Sequence, residues 1–162
     1  MSFVFESFPV FGFSGSRSIV PAVCGVLAGR VPVGARVFVG CASGVDAFFR
    51  ESFPAAEVFS VGFSGRGGFA ARSAACVSAV GCAGGLWVSF PSGACPAGLA
   101  PCSRWAPAAG SGSWGSLALA VGSGVPSLVF ATAGVPSGWG FVALGSGWFL
   151  ALPTGSQLSL PF

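Results

Sequence analysis

The chain has 162 residues, 53% of them hydrophobic and only 7% charged, with a formal charge of +3. All seven cations are arginines, scattered at Arg17, Arg30, Arg36, Arg50, Arg66, Arg72 and Arg104, too thinly for a polybasic nucleic-acid or lipid surface. There is no histidine, which excludes a serine nucleophile with a His base and a mixed Cys/His zinc site.

Apolar runs alternate with small-residue helical stretches along the chain. Residues 9–13 read as a first strand, ending at Ser14-Gly15-Ser16-Arg17. Residues 19–31 read as a helix, with Pro21 tolerated in its first turn. A second strand is predicted over 36–39, then a helix over 45–53 bounded by Pro54. A third strand covers 57–61, and the Ala-rich stretch 69–82 is helical. The fourth strand is 86–90, followed by a Pro/Gly/Ala/Ser loop over 92–109. A helix over 114–121 leads to a fifth strand over 127–131. Residues 138–144 and 148–152 form a hairpin across Gly145-Ser146-Gly147.

Strands alternating with helices predict an α/β fold, a doubly wound, mainly parallel Rossmann-like sheet of order 3-2-1-4-5 with a C-terminal β-hairpin. Continuous apolar strands such as Val37-Phe38-Val39 fit burial on both faces. Residues 1–152 are read as one nucleotide-binding domain and 153–162 as a loose tail. The ligand crevice belongs at the carboxyl ends of strands one and four.

The mean hydropathy of +0.84 is membrane-like. Every abundant residue type can be encoded without adenine, whereas Lys, Asn, His and Tyr, which cannot, are absent. A coding strand poor in adenine accounts for the apolarity without lipid. The longest candidate span, 116–133, is split by Gly122, Ser123, Gly124 and Pro126. No signal peptide is evident, since Glu6 stands where a basic leader belongs. Cys24, Cys41, Cys76, Cys82, Cys95 and Cys102 contain no C-x-x-C pair and read as reduced, mostly buried thiols in a cytoplasmic protein.

Three turns fall at predicted strand ends. Ser14-Gly15-Ser16-Arg17 offers a close backbone approach, two hydroxyls and a guanidinium for an anion. Gly40-Cys41-Ala42-Ser43-Gly44-Val45-Asp46 carries the only aspartate of a chain whose other acids are Glu6, Glu51 and Glu57. Ser43 suits a helix cap, and Asp46 suits either the helix dipole or a ligand's sugar hydroxyl. Gly110-Ser111-Gly112-Ser113-Trp114 opens a helix, where free N–H groups reached across glycines hold phosphate. Trp105 and Trp114 are the tryptophans best placed to stack on a base.

This ordered set of motifs resembles the SLOG superfamily of Rossmann-like domains over most of residues 9–132. That group includes the DNA-processing protein A family and the LOG-type phosphoribohydrolases. The Gly15-Ser16-Arg17 turn and the loop ending Gly44-Val45-Asp46 resemble the DNA-processing branch, though the His that normally follows is missing. The phosphoribohydrolase branch has a Gly-Gly-x-Gly-Thr-x-x-Glu loop. Here Ala109 replaces its first glycine, Gly110, Gly112 and Ser113 match, and Ser116 stands in place of the catalytic Glu. Arg72 matches that branch's arginine one helix earlier. The resemblance implies binding of a nucleotide or nucleotide-derived ligand, with phosphate held by the Gly/Ser turns.

The expected ligand-binding residues are therefore Ser14, Gly15, Ser16, Arg17, Ser43, Gly44, Asp46, Arg72, Gly110, Ser111, Gly112 and Ser113, with no metal and no separate cofactor. The alternatives are a LOG-like nucleoside-monophosphate phosphoribohydrolase using Glu51 or Glu57, a single-stranded DNA-binding module, and a small membrane-embedded protein. Catalysis stays open because the motif's Glu is gone. Nucleic acid and membrane are the less favoured partners, and self-association is left open.

Overall fold

A computed structural model describes residues 2–62, 65–106 and 112–154. The elements run α1 (Ser2–Glu6), β1 (Val10–Gly15), α2 (Val23–Ala28), β2 (Arg36–Gly40), α3 (Val45–Ser52) and β3 (Glu57–Phe59), then α4 (Arg66–Cys82), β4 (Leu86–Phe90), α5 (Gly112–Gly122), β5 (Ser127–Phe130), β6 (Val142–Gly145) and β7 (Trp148–Ala151). The strands form one sheet of order β3-β2-β1-β4-β5-β7-β6. The first five are parallel, and β7 and β6 join antiparallel beyond β5. The predicted order 3-2-1-4-5 and the closing hairpin are thus both present, with the hairpin extending the same sheet.

Period-two alternation divides the core. Phe11, Phe13, Val37, Val39, Val88 and Phe90 face α1, α2 and α3. Val10, Phe38, Trp87 and Val129 face α4 and α5. Phe13 stacks on Phe49 of α3 with ring centroids 3.8 Å apart. On the other face Trp114 meets Trp139 edge-on at 5.9 Å.

Several boundaries differ from the sequence reading. The helix predicted over 19–31 is only Val23–Ala28, because the Ser16 hydroxyl accepts the N–H groups of Ser18 and Ile19 and holds them in a turn. The hairpin's first strand starts at Val142 rather than 138, because Trp139 is buried against α5 instead of lying along the sheet edge. The helix α1 carries no sequence prediction; it buries Val4 and Phe5. The stretch 116–133 divides into the end of α5 and β5, and no helix of the described residues is long and apolar enough to cross a membrane. Pro153 and Thr154 follow β7, and the rest of the predicted tail lies outside the described residues.

Candidate functional site

Strand β1 pairs with β2 on one side and β4 on the other, so the connections leaving the carboxyl ends of β1 and β4 run in opposite directions. A crevice opens at that switch point, as the topology requires. It is a cleft of about 560 Å³ walled by the β1–α2 turn, the β2–α3 loop, one side of α4 from Phe69 to Cys76 and the start of α5.

The charged end is built by Asp46 and arginines drawn from separate elements. Asp46 is 4% exposed; its Oδ2 accepts the Ala42 N–H at 3.3 Å and lies 3.7 Å from Arg72 Nη1. Arg72 also reaches Cys41 Sγ at 3.7 Å and donates from Nη2 to Ser73 Oγ at 3.3 Å, while its buried Nε has no acceptor. Arg50 Nη1 donates to the Gly40 and Ala42 carbonyls at 2.7 and 2.8 Å, closing the β2–α3 loop around the carboxylate. Arg17 acts on the same acid. Three guanidiniums against one carboxylate leave two positive charges uncompensated.

Burial pushes the Asp46 carboxyl above the ordinary carboxylate value, although Arg72, the Ala42 N–H, Arg50 and Arg17 all pull it down. Burial also acts to raise the Cys41 thiol, but Arg72 and the Val61 N–H outweigh it and hold that thiol below the usual cysteine value. Cys24 and Cys76 are pushed up to about 12, chiefly by burial.

The Asp46 shift has a testable sign. Because the fold binds this proton more tightly than the unfolded chain, stability falls as pH rises from the unfolded to the folded pKa. Wild type should therefore lose thermal stability relative to Asp46→Asn as pH rises above the ordinary Asp value of about 3.9. Parallel melting-temperature profiles for the two proteins would remove Asp46 as the source.

Hydroxyls line the opposite end. Ser14 Oγ lies 3.2 Å from Ser89 Oγ and 3.3 Å from Ser116 Oγ. Ser89 and Ser116 also donate to carbonyls in the first turn of α5, at 3.3 Å to Ser113 O and 2.8 Å to Gly112 O. Ser116, in place of the Glu of the resembled motif, thus bonds its own helix. Trp105 lines the cleft and is half-buried.

Of the predicted site residues, Ser14, Gly15, Ser16, Arg17, Asp46, Arg72, Gly112 and Ser113 line this cleft. Gly110 and Ser111 lie outside the described residues. Ser43 and Gly44 do not wall the cleft; they join the two loops behind it. Ser43 Oγ donates to Arg17 O at 2.9 Å rather than capping α3, and the Val45 N–H donates to Ser16 O at 2.9 Å. Gly15 serves that packing too, since a Cβ there would stand 2.6 Å from Val45 Cγ2. Trp114 is no stacking platform: it is 1% exposed and its Nε1 donates to Gly93 O at 2.9 Å. Glu51 and Glu57 are exposed outside the cleft, with Glu57 paired to Arg36. The sequence reading missed Phe69 and Ser73, which line the cleft, and Ser89, which is fully buried and lies against Ser14. Phe69 carried a signal, because it lies three residues before Arg72 on one helix and so shares its face.

The chain matches no protein-family model, no curated protein and no solved structure.

Proposed function

We propose that this crevice binds a nucleotide or nucleotide-derived ligand, in a Rossmann-like module of the SLOG type. The parallel order β3-β2-β1-β4-β5 is consistent with the Rossmann-like part of this reading. The observation that carries the binding is that Arg17 and Arg72 line the cleft beside a single carboxylate, Asp46, which lies 3.7 Å from Arg72. Excess positive charge beside a partly desolvated cleft favours an anion. The volume suits a small molecule, since such pockets run from roughly 300 to 1,000 Å³. Serine hydroxyls and the opening of α5 offer donors for phosphate oxygens, and the half-buried Trp105 offers a face for a base. Binding is favoured over glycosidic cleavage because Ser116 is bound to its own helix and Glu51 and Glu57 stand outside the cleft.

Calorimetry with adenosine monophosphate, other nucleoside monophosphates and inorganic phosphate tests this reading. Trp105→Ala should weaken the nucleotides about tenfold, the scale of one stacked base, and leave inorganic phosphate unchanged. Absence of nucleotide binding to wild type would overturn the proposal. Base release from the same nucleotides would instead favour the phosphoribohydrolase alternative.

A further inference from the structure

We propose that Phe69 is a positioning residue that gathers Arg17 and Arg72 into one receptor for a tetrahedral oxyanion, an inference that rests on the crevice being a ligand site. The guanidinium carbon of Arg17 stands 4.3 Å from the centroid of the Phe69 ring, and that of Arg72 stands 5.5 Å from it. Both lie within about 6 Å, the range in which a ring's quadrupole attracts a cation. Arg17 comes from the β1–α2 turn and Arg72 from α4, so one ring joins cations from two parts of the fold.

Core packing does not account for this ring. Phe69 is half-buried, lines the crevice, and belongs to neither hydrophobic cluster. Arg17 is exposed and has no ion pair among the described residues, so Phe69 is the contact that orders its guanidinium. Arg72 is held more firmly, yet its buried Nε lacks an acceptor. Two cations gathered on one ring repel each other, and Asp46 supplies a single charge to offset both. An oxyanion with oxygens pointing in several directions relieves that repulsion, since each guanidinium presents a planar fork of donors.

The test compares wild type with Phe69→Leu and Phe69→Tyr, using sulfate and adenosine monophosphate as probes. Leucine keeps bulk without a quadrupole, so Phe69→Leu should weaken both probes about fivefold, while Phe69→Tyr holds them near wild type. Side-chain NMR reads the clamp with no ligand present: the Arg17 δ protons should show a ring-current shift in wild type that Phe69→Leu removes. Unchanged affinity in Phe69→Leu, or Arg17 protons without that shift, would overturn the clamp while leaving nucleotide binding intact. Wild type that binds sulfate but not the nucleotide would leave the receptor standing and sink the nucleotide reading. Binding of neither probe would sink both.

Discussion

Arg72→Met is expected to lose about 100-fold in affinity for a phosphate-bearing ligand, the scale of one or two charge-assisted hydrogen bonds. It should also unfold earlier. The side chain of Arg72 is 10% exposed and that of Asp46 6%, so removing the cation strands a buried carboxyl. Breaking such a pair costs about 3–5 kcal/mol, enough to lower the melting temperature of a domain this size by roughly 10 °C. The two losses have different origins, and a second variant separates them. Arg72→Met combined with Asp46→Asn removes both charges, so melting should recover most of the way. Binding should not recover, because the ligand's anion meets Arg72 and not Asp46. Thermal unfolding and calorimetry on the three proteins read both effects. Wild-type affinity in Arg72→Met would refute the charged end of the crevice as the phosphate site.

Asp46 stood out in the sequence because the chain holds no other aspartate. Arg17 and Arg72 were expected in the same site, but their approach to its carboxylate was not legible, and Arg50 was not singled out. Arg72 approaches only after a crossover from β2 through β3 into α4, and nothing local in the sequence encodes that meeting. The strands were legible because parallel strands buried on two faces must be apolar throughout, and Val37-Phe38-Val39 and Leu86-Trp87-Val88 are. The direction of Trp114 was not. Every residue from Ser113 to Ala120 is buried, so α5 has no polar stripe to mark an outer face, and the indole could be placed in the cleft or the core with equal ease. Ser43 precedes a helix as a cap should, but Gly44 takes a conformation that sends the hydroxyl back to Arg17 instead. Ser89 was hidden because a lone serine inside a buried strand reads as filler. It became visible only when β1 and α5 brought Ser14 and the Ser113 carbonyl to it.

Gly44→Ala should be severely destabilising. Gly44 has φ +69° and ψ −125°, a region closed to L-residues by their Cβ. The added carbon would also stand 2.5 Å from the carbonyl carbon and 2.7 Å from the Cα of Arg17, and would clash with the Ser16 carbonyl oxygen. All three obstacles are backbone, so no side-chain rotation clears them. The loops must separate, breaking the Val45 N–H bond to Ser16 O and the Ser43 bond to Arg17 O. Backbone strain and overpacking each cost about 1–3 kcal/mol, so the sum approaches the whole stability of a marginal domain. Gly34→Ala isolates the strain. Gly34 has φ +88° with nothing within 4 Å of its Cβ position, so only the conformational penalty of about 1 kcal/mol applies there. Urea unfolding should place Gly44→Ala well below Gly34→Ala, and equal losses would mean that the two loops are not in contact. Any Gly44→Ala that still folds should bind the sulfate probe weakly, because moving the β1–α2 turn carries Arg17 off the Phe69 ring.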